Sequence, residues 1–211
     1  MPRGSNAGKC CCHSFIVFVF SAGFIVLIYW AIFQPHHIRA TVESATLANL
    51  TVVSASNASS SSAAVSYHLS VSLGLYNPSV RANIYYDAIG AELRFRDAVV
   101  GPAANATSPP AFYQRSRASD DVRLEFDYGI RPGVAVGADV AAELEKEMRR
   151  GGPVSLELAL DVRVRYVFRM FKLPQKPRVW CALSIPVKTE GHHRGFGGDI
   201  VAGGDRCRVK Y

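Results

Sequence analysis

From residue 38 onward the chain alternates apolar and polar side chains. Over 65–75 the odd positions are Val65, Tyr67, Leu69, Val71, Leu73 and Leu75, and the even ones are Ser66, His68, Ser70, Ser72 and Gly74. Over 156–168 the even positions are Leu156, Leu158, Leu160, Val162, Val164, Tyr166 and Phe168, separated mainly by Glu157, Asp161, Arg163 and Arg165. Successive strand side chains point to opposite faces, so this period predicts strands with one buried and one wetted face, as in antiparallel sheet. The same test predicts strands over 38–53 (bent), 89–99, 111–114, 122–128, 179–187 and 207–211. Within them Ile89, Ala91, Leu93 and Phe95 face inward, as do Val122, Leu124, Phe126 and Tyr128. Pro186 hints at a sheet edge.

One stretch changes period. Val140, Leu144 and Met148 recur at helical spacing, Asp139 is placed to cap, Glu145 and Arg149 pair at i, i+4, and Gly151-Gly152 stops the helix. About seven strands and one short helix predict a mainly β fold, an antiparallel β-sandwich of immunoglobulin or fibronectin type, with an open barrel as the alternative. Two stretches read as surface loops: 54–66, with seven serines in 13 residues, and the glycine-rich 190–206 with His192-His193.

The N-terminal pattern is different. Residues 15–33 are apolar except for Ser21, and no charge falls between Lys9 and His36. At helical rise the run spans roughly 28 Å, close to a bilayer's hydrocarbon thickness. Tyr29 and Trp30 lie toward its end, where amphipathic rings favour the interface. The reading is a cytosolic tail over 1–13, a transmembrane helix over 14–34 and an extracytoplasmic domain over 35–211. A cleaved signal peptide is the alternative, but the run exceeds the usual ~7–15-residue apolar core. Arg3 and Lys9 before the helix, against Arg39 after it, favour a cytosolic N-terminus. Three sequons, at Asn49, Asn57 and Asn105, fall after the helix.

Cysteines divide in the same way. Cys10, Cys11 and Cys12 precede the apolar run and form a candidate acylation site, the alternative being three inert thiols. Cys181 and Cys207 lie on predicted inward faces in an oxidising compartment and are candidates for one disulfide. The 24 basic residues exceed the 17 acidic ones. Arg163, Arg165 and Arg169 fall on the outward face of one strand, and Arg94 and Arg96 on that of another. Such a face suits anionic headgroups or acidic polysaccharide; on the far side of a membrane it does not meet nucleic acid. No hydrolase, metalloprotease or phosphate-loop signature is present in the sequence. Asp120-Asp121, His36-His37 and His192-His193 read as solvated groups, and no cofactor or metal is expected.

Asn77-Pro78-Ser79, followed after six residues by Tyr86-Asp87, begins at the end of one alternating strand and leads into the next. Asn77 can bond nearby backbone, Pro78 ends the strand, and one of Tyr85 and Tyr86 is a core ring whose hydroxyl seeks a backbone partner, as in a tyrosine corner. The motif resembles that of the plant NDR/HIN-like (harpin-induced, non-race-specific disease resistance) family, whose members carry a late-embryogenesis-abundant group 2 domain. Ser79 stands where the family has a second Asn. Pro110-Ala111-Phe112-Tyr113-Gln114 resembles the family's second motif, with Arg115 in place of its Gly. The endings around Cys181 and Cys207 are similar as well, and the likeness covers nearly the whole chain.

The resemblance implies a single-pass, type II plasma-membrane protein of plant defence or stress response. It implies a non-enzymatic adhesion or signalling scaffold whose partners are the lipid bilayer, cell-wall polysaccharide and other membrane proteins. A lipid-binding module with an acyl-chain cavity or a membrane-contact role is the alternative. Protein made in a eukaryotic host is expected to gain mobility on endoglycosidase treatment, in steps removed by Asn→Gln replacement at the three sequons. An unshifted band, with the C-terminal domain open to protease from the cytosolic side, contradicts the topology.

Overall fold

The computed structural model describes the backbone of residues 6–33, 37–54, 62–102, 106–107, 109–129, 133–169, 171–189, 196–201 and 206–211, with side chains of the first helix described over 15–28. The chain divides into two units, Met1–His36 and His37–Tyr211.

In the first unit, α1 runs Asn6–Phe33. It begins before the apolar run and includes Cys10, Cys11 and Cys12 in its first turns. Its phenylalanines Phe15, Phe18, Phe20 and Phe24 are exposed, and the Ser21 hydroxyl satisfies itself on the Phe18 carbonyl at 2.9 Å. Among the described residues no helix is long and apolar enough to cross a membrane.

The second unit is mainly antiparallel sheet. Its elements are β1 (Arg39–Ser54), β2 (Ser62–Tyr76), β3 (Asn83–Phe95), β4 (Ala98–Gly101), β5 (Ala106–Thr107), β6 (Phe112–Gln114), β7 (Ser119–Asp127), β8 (Val134–Gly137), α2 (Ala138–Arg149), β9 (Pro153–Phe168), β10 (Phe171–Gln175), β11 (Arg178–Pro186), β12 (Lys188–Thr189), β13 (Phe196–Val201) and β14 (Arg208–Lys210). They form two seven-stranded sheets. The first has the order β12-β13-β1-β2-β7-β5, with β8 also on β2; the second has β14-β11-β9-β3-β4, with β10 also on β9 and β6 also on β3. The sequence predicts about seven strands; the surplus consists mostly of short pieces whose two to six residues are too few to display a period.

The alternation works as expected in the long strands. Leu69, Val71 and Leu73 of β2, Leu124 and Phe126 of β7, Leu158 and Tyr166 of β9 and Leu183 and Ile185 of β11 all lie in one shared core. Tyr67, Tyr86, Tyr166, Phe95 and Phe126 are its largest fully buried side chains. Burying each stabilises by roughly 1.5–3 kcal/mol relative to exposure. Two buried hydroxyls find backbone acceptors: Tyr67 donates to the Val100 carbonyl and Tyr128 to that of Pro102, each at 2.9 Å.

Several expectations are corrected. Residues 89–99 are not one strand: β3 ends at Phe95, and Arg96, at φ 53°, turns the chain into β4. The start of β3 was hidden by a bulge. Pairing with β9 slips between Tyr86 and Ala88, so the buried positions switch from even (Ile84, Tyr86) to odd (Ile89, Ala91) and no single period covers the strand. Asp139 does not cap α2. Gly137 occupies the N-cap without a side-chain bond, and Asp139 sits in the first turn, where its charge complements the helix dipole. The helix does stop before Gly151, which follows the Arg150 C-cap in the left-handed region at φ 68°. Where a bend is expected, β1 carries register shifts between Val42 and Ser44 and between Ala48 and Thr51, the kind of irregularity that bends a strand.

Both predicted loops contain strand. Serine-rich 62–66 begins β2, with Ser66 opposite Thr51 of β1, and β13 lies inside 190–206, pairing with β1 and β12. Glycine in β13 reflects close approach rather than mobility: a Cβ on Gly198 would lie 1.9 Å from the Pro186 carbonyl oxygen. Gly198→Ala is therefore expected to lower the urea-unfolding free energy by about 1–3 kcal/mol, the usual range for overpacking. Gly152→Ala, where a Cβ meets nothing within 4 Å, serves as control; equal midpoints for the two variants would contradict the packing.

Candidate functional site

The two motifs, separated in sequence, meet in space. β6 pairs with the start of β3, placing Ile84 opposite Gln114, Tyr85 opposite Tyr113 and Tyr86 opposite Phe112. The Tyr86 and Phe112 rings stack at 4.5 Å between centroids and 11° between planes. Tyr86 is the core ring and Tyr85 points outward, as the alternation requires. The Tyr86 hydroxyl does not find backbone: it donates to Oε1 of Gln114 at 3.1 Å, and Gln114 in turn donates through Nε2 to the Leu75 carbonyl at 2.7 Å. The relay replaces the expected tyrosine corner. A spacing rule within one motif gave no signal that a side chain from the other would be the acceptor.

Asn77 forms a second buried knot. It is wholly inaccessible. Its Nδ2 donates to the carbonyls of Ala82 at 2.9 Å and Arg115 at 3.1 Å, and its Oδ1 accepts from the Ser79 amide at 3.0 Å. Its own amide donates to the Ala118 carbonyl at 3.0 Å. Ser79 closes the turn by accepting from the Ala82 amide at 3.0 Å. Serine at 79 thus supplies the hydrogen-bonding group that the turn needs in place of asparagine. Pro78 lies between the two, and Asn83 accepts from the Ser116 amide at 2.8 Å. Burial raises the Tyr86 phenol well above its ordinary range, with the Tyr211 and Asp120 charges adding to the effect, so it remains a neutral donor.

The last motif residue faces water. Asp87 accepts from Nε of Arg165 at 2.8 Å and also from its Nη2, and that guanidinium lies over the Tyr85 ring at 4.7 Å. The hydrogen bonds to Asp87 are the main cause of the raised Arg165 pKa. Part of the predicted basic face is neutralised in this way: Arg94 pairs with Glu92, while Arg163 is exposed on β9. Arg178, outside that prediction, faces Asp161. Arg96 is in the β3–β4 turn, against Glu143 and Glu147 of α2, and Arg169 lies past the end of β9. Neither extends an outward strand row.

Cys181 and Cys207 are joined in a disulfide. They stand directly across the continuation of the β11–β14 ladder, whose last registered pair is Trp180 and Arg208. On the chain-entropy account, closing a separation of 26 residues contributes about 3.5 kcal/mol. The Cys207 amide also reaches the Ala40 carbonyl of β1 at 2.9 Å, so the crosslink sits where the chain passes from one sheet to the other. Close by, the Tyr211 hydroxyl accepts from the Ile38 amide at 2.9 Å and bonds the Tyr166 hydroxyl at 2.7 Å.

Among the described residues, the remaining candidates are dispersed rather than drawn into one cluster. Asp121, Arg123, Glu125 and Asp127 lie on the wetted side of β7. Glu43 approaches Asp121, and desolvation followed by that neighbouring carboxylate raises its pKa. His37 packs against the Tyr211 ring at 4.6 Å. Among the described residues no set of three or more His, Cys, Asp or Glu is arranged to hold a metal. Asn49 is exposed on the second β1 bulge at φ 55°, a left-handed conformation that asparagine tolerates. Asn57, Asn105, His36 and His192-His193 lie outside the described residues, as do the side chains of Cys10, Cys11 and Cys12.

The unit is thus a disulfide-closed pair of antiparallel sheets whose two sequence motifs build one buried polar seam. Over 193 residues, the chain is 26% identical to the NDR1/HIN1-like protein 10 of Arabidopsis thaliana, covering 89% of this chain and 79% of that protein. This is weak homology, and it supports membership of the family that the motifs resemble. No family model matches the chain. A crystal structure of an Archaeoglobus fulgidus protein aligns with 65% of this chain and 96% of its own at 6% identity, but its TM-score of 0.28 carries no argument.

Because each buried carboxamide satisfies at least two other polar groups, Asn77→Ala or Gln114→Ala is expected to cost about 2–4 kcal/mol in urea unfolding. Asp87→Asn, whose partner is solvent-exposed, should leave the midpoint close to that of the parent. A destabilisation by Asp87→Asn matching that of Asn77→Ala would contradict a structural role for the buried knot.

Proposed function

We propose that the protein is a non-enzymatic scaffold of plant defence or stress response, anchored in the plasma membrane through the apolar sequence run 15–33, with its N-terminus cytosolic and its β domain apoplastic. The observation that carries this reading is the similarity to NDR1/HIN1-like protein 10 along 89% of the chain, together with the motif residues that form the buried seam. The domain is of the late-embryogenesis-abundant group 2 type, a β-sandwich of immunoglobulin or fibronectin class. In support, β1-β2-β7 in one sheet and β3-β9-β11 in the other follow the A-B-E and C-F-G orders of such sandwiches. The Cys181–Cys207 disulfide suits an oxidising compartment. Glycans at Asn49, Asn57 and Asn105 and acyl chains on Cys10, Cys11 and Cys12 belong to the same reading.

A scaffold works by presenting surface, and the distribution of perturbed groups suits that role. The large upward pKa shifts belong to Tyr67, Tyr86 and Tyr166, each caused first by burial. They are core donors rather than groups poised in a cleft. The partners we assign are the lipid bilayer, cell-wall polysaccharide and other membrane proteins.

The test is proximity labelling in the native plant membrane, with the labelling enzyme fused at Tyr211 of the full chain. Enrichment of cell-surface and wall proteins is the expected result. A labelled set dominated by cytosolic proteins, with hydroxylamine-insensitive Cys10–Cys12, would overturn it.

A further inference from the structure

One pole of the domain combines cations with exposed apolar side chains. The register places the start of β1 beside the end of β2 and the start of β7, through Arg39, Tyr76 and Ser119. In the second sheet it aligns Asn83, Val167 and Lys172. The turns 77–82 and 115–118 and the turn residue Arg169 therefore gather at the pole where residues 37–39 enter. There Val80, Tyr113, Phe171 and Leu173 are exposed, Phe171 at 62% and Val80 at 56%. They come from the 77–82 turn, β6 and β10, so the feature belongs to the pole rather than to one strand.

The cations have the same distribution. Arg39, Arg81, Arg115, Arg117, Arg169 and Lys172 are all exposed on these segments. Among the described residues none of the six is in an ion pair, whereas Arg94, Arg96, Arg165 and Arg178, elsewhere on the domain, each face a carboxylate. On neighbouring segments, Asp87 is held by Arg165, Asp120 and Asp121 lie at the start of β7, and Glu43 of β1 approaches Asp121. Phe171 and Leu173 flank Lys172 on a hairpin strand. They lie opposite Phe168 and Tyr166, and so project on the core side of β10 yet remain exposed.

We propose that this pole is a lipid-contact surface, in which Phe171, Leu173 and Val80 enter the headgroup–acyl boundary and the six cations meet phosphate-bearing anionic headgroups. Apolar side chains ringed by lysine and arginine bind interfaces by combining buried area with attraction to anionic lipid. Long basic side chains suit this role, since their stems lie along apolar surface while their charges stay in water. The β unit begins at this pole, with His37 and Arg39 exposed there. The inference rests on the anchored reading only for which bilayer is met.

The test uses the full chain with Phe171→benzoylphenylalanine, and with the same replacement at Val53, which is exposed toward the opposite end of β1. Each is reconstituted in phosphatidylcholine vesicles with and without phosphatidylserine, then irradiated. Lipid adducts at 171 are expected on the order of tenfold above those at 53, rising with phosphatidylserine and falling with salt. An Arg81→Glu, Lys172→Glu variant should lose that rise while keeping its near-ultraviolet dichroism. Absence of lipid adducts at 171, equal yields at 53, adducts to a second copy of the chain, or indifference to phosphatidylserine would overturn the proposal. A chain that fails to float with phosphatidylcholine vesicles fails the anchored reading alone. The phosphatidylserine dependence at 171, measured with vesicles added from outside, then still decides this one.

Discussion

Two buried carboxamides, those of Asn77 and Gln114, hold the place where the chain leaves one sheet and enters the other. A crossing must interrupt both hydrogen-bond ladders, and every backbone group stranded inside needs a partner. Asn77 supplies two carbonyls and one amide, and Gln114 takes the Leu75 carbonyl and the Tyr86 hydroxyl. Without them the end of β2 and the turn before β3 would be buried unsatisfied, at a cost of roughly 1–3 kcal/mol per group. The register of β3 against β6 and β9, and hence the face that β3 presents to the core, follows from how this turn is fixed.

The C-terminal crossing solves the same problem by covalent means. Between β13 in the first sheet and β14 in the second, the Cys207 amide keeps a bond to Ala40 while its sulfur is tied to Cys181. The three-residue β14 has little ladder of its own, and the crosslink with the Tyr211 hydroxyl bonds offsets that shortage. One seam depends on amide side chains and the other on oxidation. A reducing environment would therefore loosen the second while leaving the first intact.

Long strands were legible because one period ran through them: β2, β7, β9 and β11 bury the residues that alternation predicts. Legibility failed wherever the period broke. The bulge at Asp87 inverted the parity of β3, and Arg96 turned the chain with a residue that carries no turn signal. β13 was missed because Gly197-Gly198 resembles a flexible stretch, whereas Gly198 is required by the Pro186 carbonyl beside it. The motifs pointed correctly to a turn and a core tyrosine, but their meeting through Gln114 is a tertiary fact that no local pattern encodes. The polar basic cluster was dispersed over Arg39, Arg81, Arg115, Arg117, Arg169 and Lys172. Arginines close together in sequence, such as Arg163 and Arg165, drew attention first, and Arg165 is already matched by Asp87.

The bond from the Ile38 amide to the Tyr211 hydroxyl makes the folded unit a closed circuit. Its beginning and end are neighbours, so a linker of a few residues between 211 and 38 suffices to rejoin them, and new termini can be opened in a surface connection at the opposite pole. The domain is in this sense suited to circular permutation and to insertion within a host loop, provided the crosslink that seats its final strand is allowed to form.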